Sequence, residues 1–354
     1  MSASNPIEEI ASEISSIQSR MVSLESQARL TNVRDVVEDL QTTINGFSEK
    51  IAALRSRGYV FGKDFETRAA NFVDQWMQIS PNVKNQIERQ SSQLQATAMP
   101  LRTRTDELAS ASNNIALARN ILNQLAPQVD SLESQASAAE KQIRGMFDSL
   151  QNQVSEFNEQ LNKIDWTMTQ LAEASFQLLE TEAGVMAVKA VWVKGGKEQK
   201  EDPDGVLYLT DQQLIFEQKE EVAKEKVLFI ATKKEKVQKL LLECPVALIE
   251  SITTSKQGLL KSEDHIEIRF GSGAPVTSAH FHIWQPCDEW QALINRAKSK
   301  DFDKDRAVAV DAAAAAKVKA APSQCPSCGG NINQVVLRGQ DSIKCEFCGF
   351  VIRL

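Results

Sequence analysis

The chain has 354 residues, with 40 Lys and Arg against 47 Asp and Glu, a net charge of −7, six cysteines and three histidines. That length accommodates two or three domains, and no segment is basic enough for its overall field to draw in a phosphate backbone or an anionic lipid surface. No apolar run approaches the ~20 residues of a membrane span, and the opening "MSASNPIEEIASEI" lacks the charged-then-apolar order of a signal peptide, so a cytoplasmic location is expected.

Residues 1–182 read as a helical rod. Ile7, Ile10, Ile14, Ile17, Met21 and Leu24, then Leu30, Val33, Val37, Leu40, Ile44, Phe47, Ile51 and Leu54, follow the 3,4 alternation of a heptad seam. The slip between Leu24 and Leu30 has the form of a three-residue stammer, which overwinds a supercoil. Gly58 and Gly62 in "RSRGYVFGKD" mark a reversal. A second apolar series starts at Phe65 and runs to Leu122, with a restart expected at Pro81 and a bend at Pro100. A third starts after "LAPQVD", where Pro127 marks a second reversal. Arms 5–56, 64–125 and 128–180 fit a long antiparallel three-helix coiled coil. Without a turn at Pro127, the alternatives are a longer hairpin or a parallel oligomer. A sustained seam favours self-association, because it leaves apolar flanks for a partner to cover. The rod contains neither His nor Cys.

From "EAGVMAVKAVWVK" onward the apolar period falls to about two. "VLYLT" (206–210), "LIFEQ" (214–218), "VLFIAT" (227–232), "VALIESITT" (246–254), "HIEIRF" (265–270) and "AHFHIW" (279–284) complete seven strand candidates, implying a strongly bent sheet or partly open barrel. An amphipathic helix closes the region in "CDEWQALINRAKS", with Trp290, Leu293, Ile294 and Ala297 on one face. This order over residues 183–300, and the phrase "DGVLYLTDQQLIFEQ" in particular, resembles the pleckstrin-homology (PH) and GRAM superfamily. The resemblance implies a β-barrel with a C-terminal helix that serves docking rather than chemistry. Lys194, Lys197 and Lys200 are offset by Glu198, Glu201, Asp202 and Asp204, which favours a protein over a lipid headgroup. The basic run "KKEKVQKLLLEC" (233–244) reads as a solvated helix face or loop. Cys244 and Cys287 read as buried small hydrophobes. His265, His280 and His282 read as exposed strand positions, with a metal pair at His280 and His282 as the rarer alternative. "GSGAPVTS" lacks the Gly-Lys-Ser/Thr ending of a phosphate loop. No nucleophile–base arrangement is present, so neither an enzyme nor a small-molecule substrate is expected.

Residues 301–324 are alanine-rich, a helix or a tether. Residues 325–354 carry C-x2-C-x16-C-x2-C, formed by Cys325, Cys328, Cys345 and Cys348. Two such pairs supply four thiolates in a tetrahedron, the preferred shell of one structural Zn(II) ion, with iron or a redox dithiol pair as lesser alternatives. All four positions are cysteine, which leaves no open site for catalysis. The tail resembles a zinc ribbon with rubredoxin-type knuckles, in which "INQVVL", "SIKC" and "FVIRL" would be three strands. The spacing also resembles the zinc finger of Arf GTPase-activating proteins, with Arg353 four residues after Cys348. That family requires a helical body after this arginine, where the present sequence reaches Leu354, and the residues between the cysteine pairs here read as strands, so no such activity is carried over. Arg338, Lys344 and Arg353 with Phe347 and Phe350 offer a small face for nucleic acid.

The sequence therefore describes a multidomain α + β protein: rod, PH/GRAM-like domain, linker and zinc ribbon. The expected role is an oligomeric, non-enzymatic scaffold or adaptor with protein partners. The alternatives are a membrane-associated protein of BAR-plus-PH design and a zinc-ribbon nucleic-acid factor. The weak positive footprint disfavours both lipid and nucleic acid.

Overall fold

The computed structural model describes residues 6–227, 230–313, 322, 324–332, 338–340 and 342–353, with side chains described outside residues 6 and 221–235. The chain divides into two compact units: Met1–Ser48 with Thr67–Asn158, and Glu49–Glu66 with Glu159–Leu354.

The first unit is helical. Helices α1 (Pro6–Ala28) and α2 (Thr31–Ser56) make one arm, α3 (Phe65–Ser110) a second, and α4 (Ile115–Arg144) with α5 (Asp148–Ala172) a third. Ion pairs set their directions. Glu25 meets Arg102 at 3.1 Å and Arg34 meets Glu88 at 2.7 Å, so the first two arms are antiparallel. Arg104 donates to Gln124 at 2.7 Å across the next break. Arg20 meets Glu133 at 2.7 Å and Phe47 meets Phe157, which aligns the first arm with the third. The heptad positions from Ile10 to Leu54 are buried within this single chain.

Four local expectations change. The slip before Leu30 is a break between α1 and α2 rather than an overwound helix. Leu30 takes φ 53° yet stays 3% exposed, so the break resets the register without losing the apolar anchor. Pro81 and Pro100 both lie inside the uninterrupted α3. Trp76, Val83, Ile87, Ala98 and Leu101 are buried around them, and packing of this kind offsets the backbone hydrogen bond each proline removes. Pro127 lies inside α4, and the chain breaks instead at residues 111–114. Asn114 is the reason: its side chain accepts the Leu117 N–H at 3.1 Å, an N-cap that starts α4 there.

Phe47, Phe72 and Phe157 form a buried aromatic cluster with ring centroids 4.9–5.9 Å apart, and the Arg68 guanidinium lies 4.3 Å over Phe157. Such rings combine large buried area with edge-on electrostatics.

The second unit holds a seven-stranded antiparallel sheet: β1 (Gly184–Val193), β2 (Asp204–Thr210), β3 (Gln213–Val227), β4 (Ile230–Pro245), β5 (Ile249–Gln257), β6 (Glu263–Phe270) and β7 (Ser278–Ile283). Their order is β4-β3-β2-β1-β7-β6-β5. The order has two ends, so the sheet is not closed into a barrel. Helix α6 (Cys287–Lys298) follows, burying Cys287, Trp290, Ile294 and Ala297. Cys244 is buried too. The basic run 233–244 is not a helix or loop but most of β4. Its backbone register sets Leu242 opposite Phe216 and Leu240 opposite Glu217. Nor are the histidines all exposed: His265 is 3% exposed, and His280 and His282 are half-buried beside it.

One face of the sheet is Trp192, Phe216 and Phe281, with centroids 5.2–5.8 Å apart. On another, Ala187, Val206, Tyr208 and Ile215 are covered by Trp166, Leu171, Phe176 and Leu178. The buried Glu217 fixes this cover by accepting from the Ser175 N–H at 2.7 Å and from Gln238 Nε2 at 3.0 Å. Residues after α6 are packed rather than loose. Phe302 is buried 5.3 Å from the Phe61 ring, and the Ala307 N–H donates to the Val60 carbonyl at 2.7 Å. Among the described residues, no helix is long and apolar enough to cross a membrane.

At the β2–β3 turn the polar residues Thr210, Asp211, Gln212 and Gln213 are all buried. Glu182 lies against them, accepting from the Leu179 N–H at 3.0 Å and from the Thr210 hydroxyl. Burial pushes its carboxyl up to about 7.

Two outcomes follow. Phe157→Ala should cost about 3–5 kcal/mol in denaturant unfolding followed by circular dichroism, the range for truncating a buried aromatic ring. For Glu182, the folded state holds its proton more tightly than the unfolded chain, so its contribution to stability declines as pH rises from the ordinary carboxylate range to about 7, and then levels off. Glu182→Gln should flatten that part of the stability–pH profile by up to roughly 1.4 kcal/mol per pH unit, measured by unfolding at pH 5, 6, 7 and 8.

Candidate metal centre

Two near-identical turns present the tail cysteines. In the first, the Gly329 N–H donates to the Cys325 carbonyl at 2.8 Å, and the Cys325 N–H to the Gly330 carbonyl at 2.8 Å. In the second, the Gly349 N–H donates to the Cys345 carbonyl at 2.9 Å, and the Cys345 N–H to the Phe350 carbonyl at 2.9 Å. Each turn ends on a left-handed glycine, Gly329 at φ 72° and Gly349 at φ 73°, a conformation that costs glycine least. This is why a glycine follows each Cys-x2-Cys pair.

The turns bring together all four sequence-predicted ligands. Their Sγ atoms lie within 4.8 Å of one another. Cys325 to Cys348 and Cys328 to Cys345 are each 3.7 Å apart. For four thiolates around one zinc at about 2.3 Å, the tetrahedral edge is about 3.8 Å, so this donor set fits such an ion. Cys325 and Cys345 are buried, while Cys328 and Cys348 face solvent. The backbone N–H of Cys348, and then that of Phe347, pull the Cys345 thiol down to about 7, while Cys328, lowered by the Gly330 backbone but raised more by the neighbouring cysteines, is pushed up to about 12; the thiolate is the form that binds metal. An ion here would draw four negative ligands together and would be closed to substrate.

Strands β8 (Ser342–Lys344) and β9 (Val351–Arg353) pair with Ile343 opposite Ile352. The buried core is Cys325, Ile343, Cys345 and Ile352, with Ile332 packed against it. Two of those four side chains are candidate ligands, so the apolar burial among the described residues is small for a self-standing domain. The expected strand "INQVVL" lies, after Ile332, outside the described residues.

The sequence did not reveal how the segment is held to the sheet. Arg338 donates to Asp211 Oδ2 at 2.6 Å and to both Asp303 oxygens at 2.8 and 2.9 Å. Arg306 meets the same Asp211 oxygen at 2.6 Å, and the Asp211 side chain is fully buried. Its other oxygen accepts the Ala183 N–H at 2.9 Å. Next to Arg338, the Gly339 carbonyl accepts from Gln213 Nε2. A Cβ on Gly339 would sit 2.6 Å from the Gln212 carbonyl oxygen, so only glycine allows this approach. Nothing in the sequence spacing pointed to Asp211. The cations proposed for nucleic acid are thereby reduced, because Arg338 is spent on Asp211 and Asp303. Phe347, Phe350 and Val351 are 72%, 45% and 55% exposed.

No family model matches this chain, and no curated protein matches it. Among solved structures, it is similar to the DH/PH domains of p115-RhoGEF, at 11% identity over 84% of this chain and 95% of that one, with a TM-score of 0.21. A mutant of the same domains gives 12% identity over 82% and 98%, again with a TM-score of 0.21. Likeness at that level carries no argument about fold or function.

Cys345→Ser should remove one tightly held zinc per chain, read by elemental analysis. In hydrogen exchange, the amides of β8 and β9 should lose protection while those of β1, β2 and β7 keep theirs. Retention of protection in β8 and β9 would show that the segment folds without its fourth thiolate.

Proposed function

We propose that this chain is a non-enzymatic scaffold or adaptor that docks protein partners. In this reading residues 1–182 are a coiled-coil spacer, 183–300 a PH/GRAM-like docking domain, and 301–324 the connection to a zinc ribbon at 325–354. Cys325, Cys328, Cys345 and Cys348 hold one structural Zn(II). Supporting the docking domain are the seven antiparallel strands followed by a helix whose Trp290 is buried. Supporting zinc is the match between the 3.7 Å sulfur separations and a tetrahedral edge.

The observation that carries the reading is the exposed apolar surface beside the thiolates. Phe347, Phe350 and Val351 stand exposed within five residues, and the Phe347 ring lies so close to Gly330 that a Cβ there would meet it at 2.6 Å. Aromatic side chains presented on a small rigid turn are the usual anchors of protein interfaces. Self-association remains part of the proposal, but through exposed positions such as Val22, Met77 and Met99, since the seam is covered within one copy.

Affinity capture from cell lysate with mass spectrometry, comparing the intact chain with a Phe347→Ser/Phe350→Ser variant, tests this. Loss of specific partners with unchanged zinc content is the expected result. An identical set of captured proteins removes the ribbon from the docking role. Salt-sensitive binding of the intact chain to anionic vesicles would favour the membrane reading instead.

A further inference from the structure

All three histidines of the chain lie on β6 and β7. The antiparallel register sets His265 directly opposite His282, and Glu267 opposite His280. Alternation along the strands then places His265, His280 and His282 on one face. His265 Nδ1 is 3.1 Å from His280 Nε2. The His282 ring stacks on His265 with centroids 4.7 Å apart and planes inclined by 17°.

We propose that these three imidazoles form a second metal site, for one divalent transition ion of the zinc class, bound through His265 Nδ1, His280 Nε2 and His282 Nε2. Two nitrogens on one tetrahedral zinc at 2.0–2.1 Å stand about 3.3 Å apart, close to the separation of His265 and His280. The remaining nitrogens have the surroundings that metal-bound imidazoles adopt, in which the far N–H is handed to a carboxylate. His282 Nδ1 is 2.6 Å from Glu198, which leaves its Nε2 for the ion. His265 is 3% exposed and its Nε2 has no hydrogen-bond partner; a Glu263 oxygen is 3.6 Å away. A slight closure of that gap on ion binding would satisfy the orphan donor. Glu198, Glu263, Glu267 and Asp202 surround the cluster with the negative charge that a dication needs.

One movement is required. His282 lies flat between His265 and Trp284, whose centroid is 4.2 Å from its own, and must turn about its side-chain bonds to aim Nε2 at the ion. Its side chain is 12% exposed and Trp284 is 54% exposed, so the turn requires the Trp284 ring to swing toward solvent. Three protein nitrogens leave a fourth position for water or an anion, unlike the closed four-cysteine site.

The test uses the full-length chain with its cysteine site already filled with zinc. Cobalt(II) is then titrated in, followed by calorimetry and by visible absorption. One further equivalent should bind, giving d–d bands without thiolate-to-cobalt charge transfer. Glu198→Gln should weaken that equivalent 10–100-fold. His280→Asn and His282→Asn should each abolish it while circular dichroism is unchanged. The proposal is overturned if the zinc-filled wild-type chain takes no further equivalent, which needs no variant to fold. It is overturned equally if the equivalent persists in both folded histidine variants or carries the charge-transfer band of sulfur ligation. None of these outcomes depends on the adaptor reading.

Discussion

A carboxylate with no exposure to water must find its counter-charges inside the protein, and Asp211 finds two. Arg306 and Arg338 reach the same oxygen from different parts of the chain, and the Ala183 N–H takes the other. The turn between β2 and β3, the segment after α6 and the cysteine-bearing tail are therefore fastened at one point. Removing either arginine leaves charge in a place where desolvation is expensive. The arrangement resists change because each partner is needed by the other two.

The tail gathers four cysteines that could hold a metal ion. Among the described residues, its buried core is two isoleucines and two cysteines, packed beside a third isoleucine. Loop residues cannot be ordered by so little apolar surface, because the conformational entropy of even a short segment exceeds it. Bonds from four thiolates to one ion change that balance, and the two glycine-ended turns set the sulfurs in place for it. Closed coordination offers no labile position, whereas the aromatic residues on the turns face outward. The histidine face of β6 and β7 differs in composition: three imidazoles with Glu198 and Glu263 beside them.

Much of this was legible in one dimension. The heptad series named the positions that are buried from Ile10 to Leu54, because a helix that buries one stripe must repeat its apolar residues at that period. Paired Cys-x2-Cys motifs named all four clustered sulfurs, because a two-residue spacer lets two thiolates face one ion. The drop to a two-residue period located the sheet, and Trp290 anchored the closing helix. The failures have physical causes as well. The run 233–244 has a lysine-rich pattern that suits a solvated helix, and only its pairing with the distant strand β3 makes it β. Pro127 looked like a turn, yet the Asn114 cap places the break earlier and packing holds the proline within α4.

What the sequence by itself determined were local periods, ligand spacing and backbone turns, which are set by near neighbours along the chain. Tertiary structure alone decided which distant charges share Asp211, that His265 would meet His280 and His282, and that the seam would be covered within a single copy. Those contacts join residues separated by up to 127 positions, and no local rule of propensity or spacing encodes a meeting that depends on how separate elements pack.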